Sequence, residues 1–193
     1  MTTRASTEKK LLDAAEQLLF TRGIAATPVD EVLALAGVSP ATLYRAYGSK
    51  DGLLAAALER RHREWVATWE AAVDAAPSDT DRLLAVFDAL DSFRTRPGAA
   101  RWCAFLGTAA EYVDPPPPLA AAVAQDTATL RTTLRRLAVP VVGEGQADAL
   151  AETLLLVVSG ELAMRLRDAA DTSPVRRDAR AVAAALVDRC RVK

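Results

Sequence analysis

The sequence predicts an all-α fold of about nine helices. Nearly every segment repeats its apolar residues at the helical period, and alanine, leucine and arginine dominate the composition. No stretch alternates at the two-residue period of a strand. An apolar fraction of 51% over 193 residues supplies a sizeable core.

The first helix spans Thr7 to Gly23. Leu11, Ala15, Leu18 and Leu19 share a face, and Gly23 falls where a left-handed residue ends a helix. Thr27-Pro28-Val29-Asp30 opens a second, with Thr27 as cap and Pro28 at the first helical position, and Gly37 ends it. Ser39-Pro40 repeats that start signal for a third helix to about Tyr47. Ser49 caps a long fourth helix through roughly Ala75. Asp79 or Thr80 begins a fifth, which stops near Arg96 before Pro97-Gly98, and a sixth runs to about Val113. The four prolines from Pro115 to Pro118 make a rigid corner. Helices then fit Leu119–Leu137, Gln146–Ala170 and Pro174–Arg191.

Charge and cysteine usage narrow the function classes. Residues 1–65 hold nine Lys and Arg against eight Asp and Glu, and the remainder fifteen against seventeen. Any contact with nucleic acid therefore rests on a few placed cations rather than on a broad basic field. Two cysteines without a CxxC argue against a disulfide framework and fit a reduced, cytoplasmic setting. A single histidine leaves no metal-ligand cluster, and no cofactor is expected. The N-terminus lacks the apolar core of a secretory signal, and the longest strongly apolar run, Leu154 to Val158, is far short of a membrane span.

Two short helices joined by Ala36-Gly37-Val38-Ser39 have the form of a helix-turn-helix, which needs a tight turn so that its second helix can project into the DNA major groove. Leu43 and Tyr47 are expected to face inward with Val32 and Leu35, leaving Pro40, Ala41, Thr42, Tyr44 and Arg45 outside. By spacing alone the same residues also suit a helical hairpin with a solvated outer face.

Residues 7–58 resemble the N-terminal domain of the TetR family. The resemblance rests on Leu11-Leu12-Asp13-Ala14-Ala15, Leu18-Leu19-Phe20, Gly23, Val29-Asp30-Glu31-Val32, Ala36-Gly37-Val38-Ser39, Leu43-Tyr44 and Ser49-Lys50 followed by Leu53-Leu54. A weaker likeness to one large subgroup continues through Cys103, Ala109-Ala110-Glu111, the prolines, and Leu154-Leu155-Leu156 with Gly160. The resemblance implies a helix-turn-helix DNA-binding domain over 1–50 and a helical effector-binding and dimerisation domain over 51–193. It implies phosphate contacts from Thr27, Tyr44 and Lys50, and base-facing positions at Pro40, Ala41, Thr42 and Arg45, with Ser39 beside them. Arginine is the side chain best suited to read guanine. Tyr47 stands where the family usually has phenylalanine, and Pro28 replaces a common threonine or serine.

The resemblance also implies homodimers formed through the last two helices. Independently, Leu154-Leu155-Leu156-Val157-Val158 is apolar on all sides and must be covered all round, while Val175, Ala179, Val182, Ala183, Leu186, Val187 and Cys190 form one stripe. A second copy covers them, or a monomer core absorbs both helices. Trp102, Phe105, Leu106, Ala109 and Tyr112 are expected on one helical face, with Trp69, Phe87, Phe93 and Met164 on helices around it. The resemblance makes Trp69, Phe87, Trp102, Phe105, Tyr112 and Met164 candidates for lining an effector cavity; packed core is the other reading of the same residues. Glu111 is a polar anchor in such a cavity or the salt-bridge partner of Arg101 or Arg165. Cys103 is a thiol sensor or an inert buried cysteine.

The expected function is transcription regulation: repression from a palindromic operator in double-stranded DNA, relieved by a small apolar effector. An all-helical interaction module without DNA binding is the alternative. No nucleophile paired with a base and no phosphate loop point to an enzyme.

Overall fold

The computed structural model describes residues 3–96, 100, 102–167 and 178–191. Among them are nine helices and no strand: α1 (Thr3–Arg22), α2 (Val29–Ala36), α3 (Pro40–Tyr47), α4 (Lys50–Ala75), α5 (Asp79–Thr95), α6 (Ala104–Glu111), α7 (Pro117–Val142), α8 (Glu144–Arg167) and α9 (Ala179–Arg191). No described helix is long and apolar enough to cross a membrane.

The chain forms two compact units. The first comprises Met1–Arg63 and Ala100–Ala124. Its core gathers Leu11, Ala15, Leu19 and Phe20 of α1, Val32 and Leu33 of α2, Leu43 of α3, Leu53, Leu54 and Leu58 of α4, Phe105 of α6 and Leu119 of α7. The long helices α1 and α4 are also pinned by charge. Arg60 donates to Glu16 at 2.7 Å and to Asp13 at 2.8 Å, and Lys9 reaches Asp13 one turn away at 2.6 Å. Partial burial opposes the charge on Asp13, but the hydrogen bonds from Lys9 and Arg60 outweigh it and hold the carboxyl below its usual range.

The second unit comprises Glu64–Ala99 and Gln125–Lys193. Leu83, Leu84, Val86, Phe87 and Leu90 of α5 pack with Leu130, Leu134 and Leu137 of α7 and Leu150, Leu154 and Val158 of α8. Trp65 and Trp69 of α4 complete this core, their rings 5.6 Å apart, with Phe93 edge-on to Trp65. Ala183 and Val187 seat α9 against it.

Several expected boundaries move. The cap of α2 is Pro28 rather than Thr27, because Pro28 takes the extended conformation (φ −62°, ψ 148°) that a residue preceding a helix needs. Leu35 is exposed while Leu33 and Ala36 are buried: from a start at Val29, positions 32, 33 and 36 share the inner face and 35 falls off it. Helix α7 continues through Pro140, which gives up one backbone hydrogen bond, to Val142, and Gly143 (φ +79°) lies just beyond its end. Helix α6 is short, so Trp102 precedes it and Tyr112 stands at its C-terminal cap, and the two do not share a helical face with Phe105. The run Leu154–Val158 buries Leu154, Leu155 and Val158 but leaves Leu156 73% exposed. In α9 the expected stripe divides, with Ala183 and Val187 buried and Val182 54% exposed. Val175, Pro174 and the corner Pro97-Gly98 lie outside the described residues.

The charge cluster on α1 and α4 sets an acid dependence. Because the Asp13 carboxyl is depressed in the folded state, its stabilisation is present above the unfolded value near 4 and is lost as pH falls through the lower folded value. Urea unfolding of Asp13→Asn between about pH 2 and 5 should show a shallower loss of stability with acid than the wild type. Equal slopes would mean that this carboxylate is not engaged in solution.

Candidate DNA-binding surface

The surface is built on two eight-residue helices and the turn between them. Helix α2 ends at Gly37, whose left-handed backbone (φ 65°, ψ 40°) favours glycine. Its N–H donates to the Ala34 carbonyl and that of Val38 to the Leu33 carbonyl, which satisfies the helix end and turns the chain sharply. Ser39 is extended and caps α3, and Pro40 occupies its first turn. The Ser39 and Thr42 hydroxyls lie 3.0 Å apart.

Leu43 fixes the orientation of α3. It is fully buried, and burial of a leucine is worth about 1.5–3 kcal/mol. With Leu43 inward, Ser39, Pro40, Ala41, Tyr44 and Arg45 are all exposed, and Thr42 is half-buried beside them. Tyr44 is 52% exposed. Among the described residues Arg45 makes no hydrogen bond or ion pair, so its five donors remain available. Ser39, Thr42 and Arg45 border a cleft of roughly 540 Å³ whose other wall carries Thr7, Glu8 and Leu11 of α1.

Thr27 and Lys50, expected at phosphates, are turned inward. Thr27 is fully buried and its hydroxyl donates to the Gly23 carbonyl at 2.8 Å. The Lys50 ammonium donates to the carbonyls of Ile24 at 2.5 Å and Thr27 at 2.6 Å. Both polar groups hydrogen-bond carbonyls of the α1–α2 turn. Ser49 does cap α4, its hydroxyl oxygen accepting from the Gly52 N–H at 2.9 Å.

The residues expected around an effector divide between the two units. In the first, Phe105 is buried edge-on to His62, with ring centroids 6.1 Å apart. The Trp102 indole covers Gly107 so closely that a Cβ there would stand 2.6 Å from its nitrogen. Tyr112 donates its hydroxyl to Asp51 at 2.6 Å, and burial, reinforced by that carboxylate, pushes its phenol pKa far up. In the second unit, Trp69 and Phe87 are core residues and Met164 is half-buried on α8. Trp69 also lines a groove of roughly 440 Å³ with Glu70 and Asp74 of α4 and Thr129, Thr133 and Arg136 of α7. Its indole N–H is buried without a hydrogen-bond partner among the described residues. Of the two arginines expected to pair with Glu111, Arg165 meets Glu161 and Asp91, and Arg101 lies outside the described residues. The Glu111 carboxylate accepts the backbone N–H groups of Ile24 and Ala25, 87 and 86 residues away in sequence. No local signal in the sequence announces this contact.

Residues 11–57 match the family of bacterial regulatory proteins named for TetR, and residues 79–185 match the tetracyclin repressor-like C-terminal domain. The chain belongs to the TetR family. It is a DNA-binding transcription regulator, and the surface of α3 is the part of the family's N-terminal domain described above. A TetR-family regulator of Streptomyces coelicolor, SCO4454, is 28% identical with a TM-score of 0.79, over 97% of this chain and 95% of that one. A regulator of the same family from Streptomyces avermitilis is also 28% identical, with a TM-score of 0.76 over 94% and 98% of the two chains. An uncharacterized HTH-type transcriptional regulator of Bacillus subtilis, YvkB, is 44% identical over 54 residues, covering 28% of this chain and 29% of that protein. The match thus spans less than a third of that relative's length.

The placement of the two cations separates their expected effects. Arg45→Ala should weaken the preferred DNA site by about 1–3 kcal/mol and relax discrimination at one base pair per half-site, with thermal stability unchanged. Lys50→Ala should lower the melting temperature, because two carbonyls lose a charged donor. A selected consensus unaltered by Arg45→Ala would remove Arg45 from base readout.

Proposed function

We propose that this regulator represses from a palindromic operator as a homodimer and is released by a small effector bound within residues 51–193. The observation that supports operator reading best is the outer face of α3, where Arg45 and Tyr44 are exposed and Arg45 is unpaired. Arg45, with Pro40, Ala41 and Thr42, faces bases; Ser39 and Tyr44 flank them at the phosphates. Thr27 and Lys50 hold the turn that presents this face. The near-balanced charge of residues 1–65 is the one feature that favours an interaction module without DNA binding. An unpaired arginine on the projecting helix weighs against it.

Two copies are needed to read two half-sites about 34–36 Å apart. Leu156 of α8 and Val182 of α9 are the exposed apolar residues of the last two helices, and a second copy covers them. The effector is assigned to the groove beside Trp69. A suitable molecule has an apolar body for Val66 and Val73 and polar groups for Glu70, Thr133 and Arg136. It releases the operator only if it binds the non-DNA-binding form more tightly. The setting is cytoplasmic, where the operator lies.

The reading is tested by a gel shift with the DNA upstream of the chain's own gene, followed by a screen for compounds that abolish the shift. Sedimentation should give a dimer at micromolar concentration, and Leu156→Glu should give monomers and lose operator binding at the same time. A variant that is monomeric yet binds the operator with wild-type affinity would contradict two-half-site recognition.

A further inference from the structure

The turn between α1 and α2 is gripped by two side chains. Glu111, the last residue of α6, accepts the Ile24 N–H on Oε1 at 3.0 Å and the Ala25 N–H on Oε2 at 2.7 Å. Each carboxylate oxygen takes one donor. Lys50, the first residue of α4, donates to the carbonyls of Ile24 and Thr27. The chain neighbours of these two residues are also joined, since the Tyr112 hydroxyl donates to Asp51 Oδ1 at 2.6 Å. Residues 111–112 and 50–51 therefore close a hydrogen-bonded ring through the turn. Gly23 opens the turn with φ +99°, a backbone conformation that favours glycine, and lies in van der Waals reach of the Glu111 carboxylate.

This grip lies at the hinge of the recognition unit. Helix α2 begins at Val29, two residues past Thr27, and its course relative to α1 is set by the conformation of residues 23–28. Helix α3 follows α2 through the rigid turn at Gly37. Hydrogen bonds to a charged carboxylate are shorter and stronger than those between neutral groups, so Glu111 holds the turn more firmly than a neutral side chain there.

We propose that Glu111 is a positioning residue for sequence-specific DNA recognition: by fixing the amides of Ile24 and Ala25 it sets the pose in which α3 meets bases. The proposal rests on the reading that α3 contacts DNA. Base readout needs correct placement of α3, whereas phosphate attraction tolerates displacement, so loss of the grip affects the two kinds of binding unequally.

The test compares wild type, Glu111→Gln, Glu111→Ala and Tyr112→Phe on a selected operator and on random DNA. Glu111→Ala should weaken operator binding about tenfold while random-DNA binding changes less than about twofold and the salt slope is kept. Glu111→Gln, which retains one acceptor oxygen, should fall between. Tyr112→Phe, which spares the two amide bonds, should weaken the operator less than Glu111→Ala. Operator affinity untouched by Glu111→Ala, or losses on both DNAs that match the unfolded fraction, would overturn the role. Amide exchange of the wild-type protein without DNA reports on the grip alone: Ile24 and Ala25 should be protected, and exchange at the rate of an open chain would also overturn it. A wild type that binds no DNA while both amides are protected would instead contradict the functional reading.

Discussion

The DNA-binding surface depends on the burial of one side chain, Leu43. Helix α3 has eight residues, too few to be stable alone in water, and Leu43 is its one fully buried anchor. Gly37 turns the chain so that this leucine meets Val32, Leu19 and Leu54 in the core of the first unit. Once Leu43 points inward, the 100° step of the helix places Arg45 and Tyr44 outward. The exposed cation is thus a geometric consequence of where the leucine goes.

The charged residues of the first unit divide by role. Arg60 with Asp13 and Glu16, and Lys50 and Glu111 on the α1–α2 turn, meet partners within the unit and fix helices relative to one another. Arg45 meets none among the described residues. In a segment with almost no net charge, an exposed arginine that is not engaged internally is available to an anionic partner.

The sequence carried most of the fold because its signals are local. Gly23, Gly37 and Gly48 mark positive-φ positions, and the helical apolar period is strong through α1, α4 and α5. The outer face of α3 was legible for the same reason, since Leu43 as an inward residue places its neighbours. The exposure of Leu35 is not legible because Val32, Leu33 and Leu35 are all apolar, and the helical period allows either 32/35 or 32/33/36 as the inner stripe. The inward turn of Thr27 and Lys50 was hidden, since both bond to backbone carbonyls, which every residue carries and no motif records. The partner of Glu111 was hidden by a separation of more than eighty residues. The aromatic set was read as one face because α6 was drawn too long. Trp102 and Tyr112 instead flank a two-turn helix and make separate contacts.

The central claim is that two copies of the α3 surface read two equivalent half-sites. Selection of bound DNA from a random pool by the wild-type protein tests it most directly. The account predicts an enriched inverted repeat whose half-site centres are about 34–36 Å, or about 10 base pairs, apart along the duplex, or a multiple of that spacing. No enriched sequence, or a single unrepeated site, would contradict it.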